Sequence, residues 1–253
     1  MIDIPDGVYL ISACTLRRTL EPWAFAERER TAIKRHWAQR SAATPGFFNG
    51  RVFVMVAGSC VGDRLEGHLA ATDFASSLYW RETGYRDHSV VDCFGSALLI
   101  ASDGALIYGR QAPGNVNSGM IYPPGGFIDR NDVGDDGRID IDGSIIREIG
   151  EETRLDPAQF KRDPGYMVTR DGPHLSVGII HRVPEPAQLL IDQIMARLKL
   201  EAAPELEALI ALHRKTDLGM HKMPGYARRL AEALLEAQPH HSRLPLAARI
   251  LLN

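Results

Sequence analysis

The chain has 253 residues, 45% hydrophobic and 24% charged, with a formal net charge of −3 at pH 7. That length allows one large or two small domains, and the balance of charge leaves no global field to draw in nucleic acid or an anionic membrane. Three scattered cysteines, Cys14, Cys60 and Cys93, show no C-x-x-C spacing, which argues against zinc ligation or a disulfide framework. No apolar run is long enough to span a bilayer. The start, Met1-Ile2-Asp3-Ile4-Pro5-Asp6, lacks the basic opening of a signal peptide, so the cytoplasm is the expected location.

In chain order, residues 8–13 are apolar and β-branched and read as a strand. Residues 22–39 have helical spacing, with Trp23, Ala26, Ile33 and Trp37 on the buried face and Pro22 in the first turn. Basic residues within 28–40, like Arg228-Arg229, read as a solvated face. Thr44-Pro45-Gly46 is a turn, residues 51–56 a strand, residues 63–71 its neighbour, and residues 74–80 a short helix. Phe47, Phe48 and Phe74 are expected in the core. Around Tyr85-Arg86-Asp87-His88 the texture changes to short β elements with tight turns, which marks a boundary. Residues 94–101 and 105–110 flank Asp103-Gly104, a strong hairpin signal. A loop over 113–119 and Met120-Ile121-Tyr122 lead into the turn Pro123-Pro124-Gly125-Gly126. After a helix over 144–153, residues 166–170 and 175–182 read as strands. Residues 188–200 and 225–236 are helical, and 206–213 begin either a strand or a helix. Strands interleaved with helices predict an α/β fold with a mixed sheet covered by helices. The expected division is an N-terminal accessory α+β domain over 1–88 and a larger domain over 89–253.

The densest chemistry lies in Arg147-Glu148-Ile149-Gly150-Glu151-Glu152-Thr153. On a helix, Glu148, Glu151 and Glu152 stand at i, i+3 and i+4 and share one face. Like charges so placed repel by a few tenths of a kcal/mol per pair, so a hard divalent cation is the natural counter-charge. Arg147 lies four residues before Glu151 and can fix its rotamer. Ile145, Ile146 and Ile149 form the apolar stripe, Asp140, Asp142 and Ser144 are N-cap choices, and Pro157 follows the helix end.

Gly126, Arg147, Glu148, Glu151, Glu152 and Leu155 together resemble the Nudix box, a glycine followed after a spacer by Arg-Glu-apolar-x-Glu-Glu-x-Gly-apolar. The resemblance implies an α/β/α sandwich with a mixed sheet. It also implies Mg2+, with Mn2+ as the alternative cation, held by Glu148, Glu151 and Glu152 and by backbone near Gly126. In three places the chain departs from the pattern. The spacer is longer than usual, its glutamate is absent so that Asp129 or Asp140 stands in, and Arg154 occupies the position of the glycine. A non-glycine residue in a left-handed cap costs on the order of 1 kcal/mol, so the helix is expected to end differently. Shorter matches, Trp37-Ala38-Gln39-Arg40, residues 45–50, Thr72-Asp73-Phe74 and residues 94–99, resemble the animal UDP-glucose/UDP-galactose pyrophosphatase-like branch, whose box is degraded where this one keeps its glutamates.

The expected activity is hydrolysis of the diphosphate in a nucleoside diphosphate derivative, a small molecule, by in-line attack of water on phosphorus. A nucleotide sugar such as UDP-glucose, giving UMP and sugar 1-phosphate, is the first substrate. ADP-ribose, dinucleoside polyphosphates and coenzyme A stay open. Arg147, Glu148, Glu151 and Glu152 form the catalytic set. Arg110, Tyr122, Gly125 and Gly126 are the substrate-binding set, with Arg170 as a further phosphate candidate. One of the box glutamates, or Glu201, Glu205 or Asp171 from later segments, takes the proton. His174 and His181 read as structural. A homodimer is compatible with this reading. The competing reading is a non-catalytic nucleotide-ligand sensor, which would bind its ligand without turnover and without need of a cation.

Overall fold

A computed structural model describes residues 1–44 and 46–237. Pro45 of the expected turn and residues 238–253 of the expected second domain lie outside the described residues. The chain begins with β1 (Ile2–Asp3), β2 (Gly7–Ile11) and β3 (Ala13–Thr19), then α1 (Ala24–Arg28) and α2 (Arg30–Ala43). A hairpin of β4 (Arg51–Val61) and β5 (Arg64–Asp73) runs into α3 (Phe74–Glu82). Next come β6 (Asp92–Ile100), β7 (Leu106–Gln111), β8 (Ile121–Tyr122), β9 (Arg138–Ile139) and α4 (Ile141–Thr153). The path continues through β10 (Lys161–Arg162), β11 (Tyr166–Asp171), β12 (His174–Arg182), α5 (Ala187–Leu198), β13 (Leu206–Leu212) and α6 (Gly225–Ala237).

Two mixed sheets result. The larger has the order β13-β7-β6-β12-β11-β2, with β8 also paired to β7 and β10 to β12, and the smaller has β1-β4-β5-β3-β9. Side chains alternate across β6 as the pleat demands. Ala97 and Leu99 enter one buried cluster with Ile145 of α4 and Leu190 and Ile194 of α5. Leu98 and Ile100 enter another with Tyr226, Leu230 and Leu234 of α6. Helices therefore cover both faces of the larger sheet, an α/β/α arrangement. The smaller sheet places Met55, Leu65 and Leu69 in the first of these clusters. Its opposite face, through Val54 and Ala70, meets Trp23, Phe25 and Trp80.

Some expectations change with tertiary context. Arg17 and Arg18 break the apolar alternation of residues 14–19. The segment forms β3 because β5 and β9 supply hydrogen-bonding partners on both edges. The helix over 22–39 breaks at Glu29 (φ −91°, ψ 8°) into α1 and α2, with Trp23 as N-cap, so Pro22 precedes the helix. Residues 206–212 are a strand, paired antiparallel with β7. Phe47 and Phe74 pack edge to face, with ring centroids 5.5 Å apart, but Phe48 is 82% exposed. The two sheets exchange strands across the 88/89 boundary: β2 joins β11 in the larger sheet, and β9 joins β3 in the smaller.

Gly95 sets the approach of α4 to the larger sheet. A Cβ at that position would meet Ile145 Cγ1 at 2.6 Å. Forcing extra volume into a packed core typically costs about 1–3 kcal/mol. Gly95→Ala is therefore expected to lower unfolding free energy by about that amount in a urea titration, and an unchanged midpoint would show that α4 shifts without cost.

Candidate functional site

Helix α4 carries the glutamates. Asp140 caps it, accepting from Gly143 N at 2.9 Å. Ile141, Ile145 and Ile149, spaced by four, form the buried stripe, whereas Ile146 is 36% exposed and belongs to the outer face. With that stripe on the sheet, Glu148 and Glu152 are carried inward, 8% and 3% exposed, while the Glu151 side chain stays 55% exposed.

The helix ends in a way the sequence argued against. Arg154 adopts the left-handed cap itself, with φ 58° and ψ 23°. Its Nε donates to Glu201 at 2.6 Å, and its carbonyl accepts from Arg197 Nη1 at 2.8 Å. These contacts hold a conformation that glycine would adopt freely. Arg154→Gly and Arg154→Ala both lose the ion pair, and only glycine relieves the strain. The glycine variant is expected to be more stable than the alanine variant by about 1 kcal/mol, read from paired denaturant curves. Equal midpoints would overturn this account of the cap.

Arg147 organises the face. Its Nη1 donates to Glu148 Oε1 at 2.8 Å and to Glu151 Oε2 at 3.3 Å. Its Nη2 donates to both oxygens of Asp132, each at 3.3 Å. Asp132 is buried, and it also accepts from Asp129 N at 2.8 Å and Ser144 Oγ at 3.0 Å. The acidic partner in the long spacer is thus Asp132, a residue the sequence did not single out. Asp129 caps a short 3-10 turn and lies 4.0 Å from Arg147, and Asp140 is occupied as the helix cap. The only sequence signal for Asp132 was its place in an acidic stretch with several equivalent carboxylates.

The glycine turn closes on the same face. Gly125 N donates to Glu152 Oε1 at 3.3 Å, while Glu152 Oε2 is buried with no hydrogen-bond partner among the described residues. A Cβ on Gly126 would meet Glu148 Oε1 at 2.6 Å, so only glycine lets the backbone lie against that carboxylate. Burial pushes the Glu148 carboxyl up to about 7, with the nearby Glu151 and Glu205 adding to the effect and Arg147 opposing it. Burial and then Glu148 and Glu205 drive Glu152 well above the ordinary carboxylate range.

Of the three later carboxylates, Glu205 alone reaches this face. Burial raises its pKa, and Glu151 contributes in the same direction. Its side chain has no hydrogen-bond or ion-pair partner among the described residues, while its carbonyl accepts from Ala112 N and Asn115 Nδ2. Glu201 is held by Arg154, and Asp171 by Arg229 at 2.7 Å. Arg110 pairs with Glu207 across β7 and β13 at 3.8 Å. Arg170 lies 3.8 Å from Asp6 rather than among the glutamates. Tyr122 is largely enclosed and accepts from Asn117 Nδ2 at 3.2 Å, with Glu152 among the charges that act on it. Burial lowers His174 and His181 to about 4, which keeps both neutral at pH 7.

The donor set fits a divalent cation. The donors are carboxylate oxygens, one buried oxygen lacks a hydrogen-bond partner among the described residues, and three carboxyls are held above their ordinary range by burial and by one another. Among the described residues no group of three or more His, Cys, Asp or Glu side chains is arranged to hold a metal ion by itself. Mg2+ does not require one, since it takes one or two carboxylates and fills its octahedron with waters and substrate phosphates.

No family model and no curated protein matches the chain. Among solved structures it is similar to a Nudix hydrolase from M. smegmatis, at 14% identity over 60% of this chain and 88% of that one, with a TM-score of 0.38. A NUDIX hydrolase from Nitrosomonas europaea is similar at 15% identity over 62% and 93%, with a TM-score of 0.36. A bifunctional NMN adenylyltransferase/ADP ribose pyrophosphatase from Francisella tularensis, complexed with AMP and a Mn ion, is similar at 17% identity over 63% and 44%, with a TM-score of 0.40. Among the described residues no helix is long and apolar enough to cross a membrane.

Proposed function

We propose that this protein is a divalent-cation-dependent pyrophosphohydrolase of the Nudix type, acting on a nucleoside diphosphate derivative. The observation that carries the reading is Glu152. It is a buried carboxylate with one oxygen unpartnered, beside Glu148 and Glu205, on a face lined by glycine backbone. A chain keeps such an arrangement at a cost in desolvation, which a bound cation offsets.

Glu148, Glu151 and Glu152 would hold Mg2+ or Mn2+, with Gly126 backbone alongside. When bound, the cation neutralises phosphate oxygens and lowers the pKa of coordinated water. Arg147, anchored on Asp132, fixes the rotamers of Glu148 and Glu151 so that their oxygens need little reorganisation. Glu205, raised and without a hydrogen-bond partner among the described residues, would take the proton from the attacking water. Gly125 and Gly126 keep the turn close enough to the glutamates for a phosphate to lie between backbone and carboxylates.

A nucleotide sugar such as UDP-glucose is the first substrate to try, followed by ADP-ribose, dinucleoside polyphosphates and coenzyme A. The test is release of nucleotide monophosphate across that panel with Mg2+ or Mn2+. Cation-dependent release from one member supports the reading. Binding of a ligand that persists in EDTA, with no turnover across the panel, would replace it with a sensor.

A further inference from the structure

The N-terminal part of the chain brings a guanidinium with spare donors to Asn117 and Tyr122, next to the glycine turn. Arg81 lies in the last turn of α3. Its one hydrogen-bond partner among the described residues is Asn117 Oδ1, in the loop between β7 and β8. Asn117 Nδ2 donates in turn to the Tyr122 hydroxyl at 3.2 Å. Tyr122 immediately precedes Pro123-Pro124-Gly125-Gly126, and Glu152, Arg81 and Glu205 all act on its phenol. Three side chains thus link α3 to the glycine turn.

The end of α3 is held firmly. Tyr85 sits at φ 54°, a left-handed conformation unfavourable for a bulky residue. It persists because its neighbours determine it. Tyr85 N donates to Trp80 O at 2.8 Å, and its ring packs edge to face on Trp80 at 4.8 Å and on His174 at 5.3 Å. Its hydroxyl is 3.0 Å from His174 Nε2 on β12. That clasp ties the last turn of α3, and with it Arg81, to the larger sheet.

The other arginines around the site are committed. Arg147 serves Asp132, Glu148 and Glu151, Arg110 pairs with Glu207, and Arg154 pairs with Glu201. A guanidinium has five N–H donors, and Arg81 uses one. Asp92 is close enough to feel Arg81, but it is not hydrogen-bonded to it, and Asp92 Oδ1 has no hydrogen-bond partner among the described residues. The remaining donors form a planar fork suited to phosphate oxygens.

We propose that Arg81 binds the diphosphate of the substrate opposite the glutamates, with Asn117 as its positioning residue. The inference rests on the pyrophosphohydrolase reading for the identity of its ligand. It also gives the N-terminal part of the chain a direct share in substrate binding.

The experiment is calorimetric titration of ADP and of inorganic pyrophosphate, with Mg2+, into wild type, Arg81→Ala, Arg81→Lys and Asn117→Ala. Steady-state kinetics on the best substrate of the panel run beside it. Loss of a charge-assisted contact predicts roughly tenfold or weaker ADP binding for Arg81→Ala. Lysine should recover part of it, and Asn117→Ala should show a smaller loss. KM should rise by a similar factor while kcat stays within about threefold, the pattern of lost uniform binding. Equal ADP affinity in wild type and the Arg81 variants overturns the proposal, as does a wild type that binds neither probe. A kcat loss at unchanged KM also overturns it, because that pattern belongs to a structural role. Turnover that survives Glu152→Gln would sink the hydrolase reading separately, whatever the Arg81 variants show.

Discussion

Glu152→Gln is expected to lower cation-dependent turnover by roughly two orders of magnitude or more, the scale seen when one preorganised electrostatic group is removed from an active site. The substitution keeps the shape of the side chain and an oxygen to accept from Gly125 N, now 3.3 Å from Oε1. It removes the charge that the site is built to hold. Because the carboxylate is buried and disfavoured in its ionised form, the neutral amide should leave the melting temperature at pH 8 unchanged or raised. Loss of turnover together with retained stability separates a role in chemistry from a role in folding. Equal turnover in variant and wild type would remove the carboxylate face from the mechanism. A large fall in melting temperature would mean that Glu152 is structural.

The second expected result is a stability profile that a cation reshapes. In the cation-free protein Glu148 is raised from 4.5 to about 7 in the folded state. Between those values the folded chain holds a proton that the unfolded chain has released, so stability falls as pH rises through that window. Glu148 alone accounts for on the order of 3 kcal/mol, fully favourable below its unfolded pKa and lost above about 7. Glu205 is shifted in the same direction. Mg2+ binds the ionised carboxylates of the folded state and stabilises by mass action. Its effect on melting temperature should be larger at pH 8 than at pH 5. Melts in EDTA and in Mg2+ at both values provide the check. Equal shifts at the two pH values, or none, would mean that these carboxylates are not the cation's ligands.

Much of the local structure was readable from the residues. Asp103-Gly104 does link β6 to β7 in a hairpin, Gly104 at φ 87°, and Arg147 does reach Glu151 four residues on. The readings that failed depended on partners distant in sequence. Arg17 and Arg18 look wrong for a strand until β5 and β9 are beside them. Arg154 looks wrong for a left-handed cap until Glu201 and Arg197 hold it. Among the many acids of the 127–140 spacer, only the packing of Ser144, Asp129 N and Arg147 around one carboxylate distinguishes Asp132.

By itself, the sequence determined the chemistry available: three carboxylates at helical spacing, an arginine beside them, and glycines upstream. Those follow from residue type and helical period, which are local properties. Only the tertiary structure decided how that chemistry is used. Packing Ile141, Ile145 and Ile149 against the sheet turns Glu148 and Glu152 inward and leaves Glu151 outside. The antiparallel pairing of β7 with β13 brings Glu205 to the same face, and the clasp of Tyr85 on His174 holds the end of α3, from which Arg81 reaches Asn117. Burial, and with it every raised carboxyl, is a property of the assembled layers, since desolvation depends on what surrounds a group rather than on its neighbours in sequence.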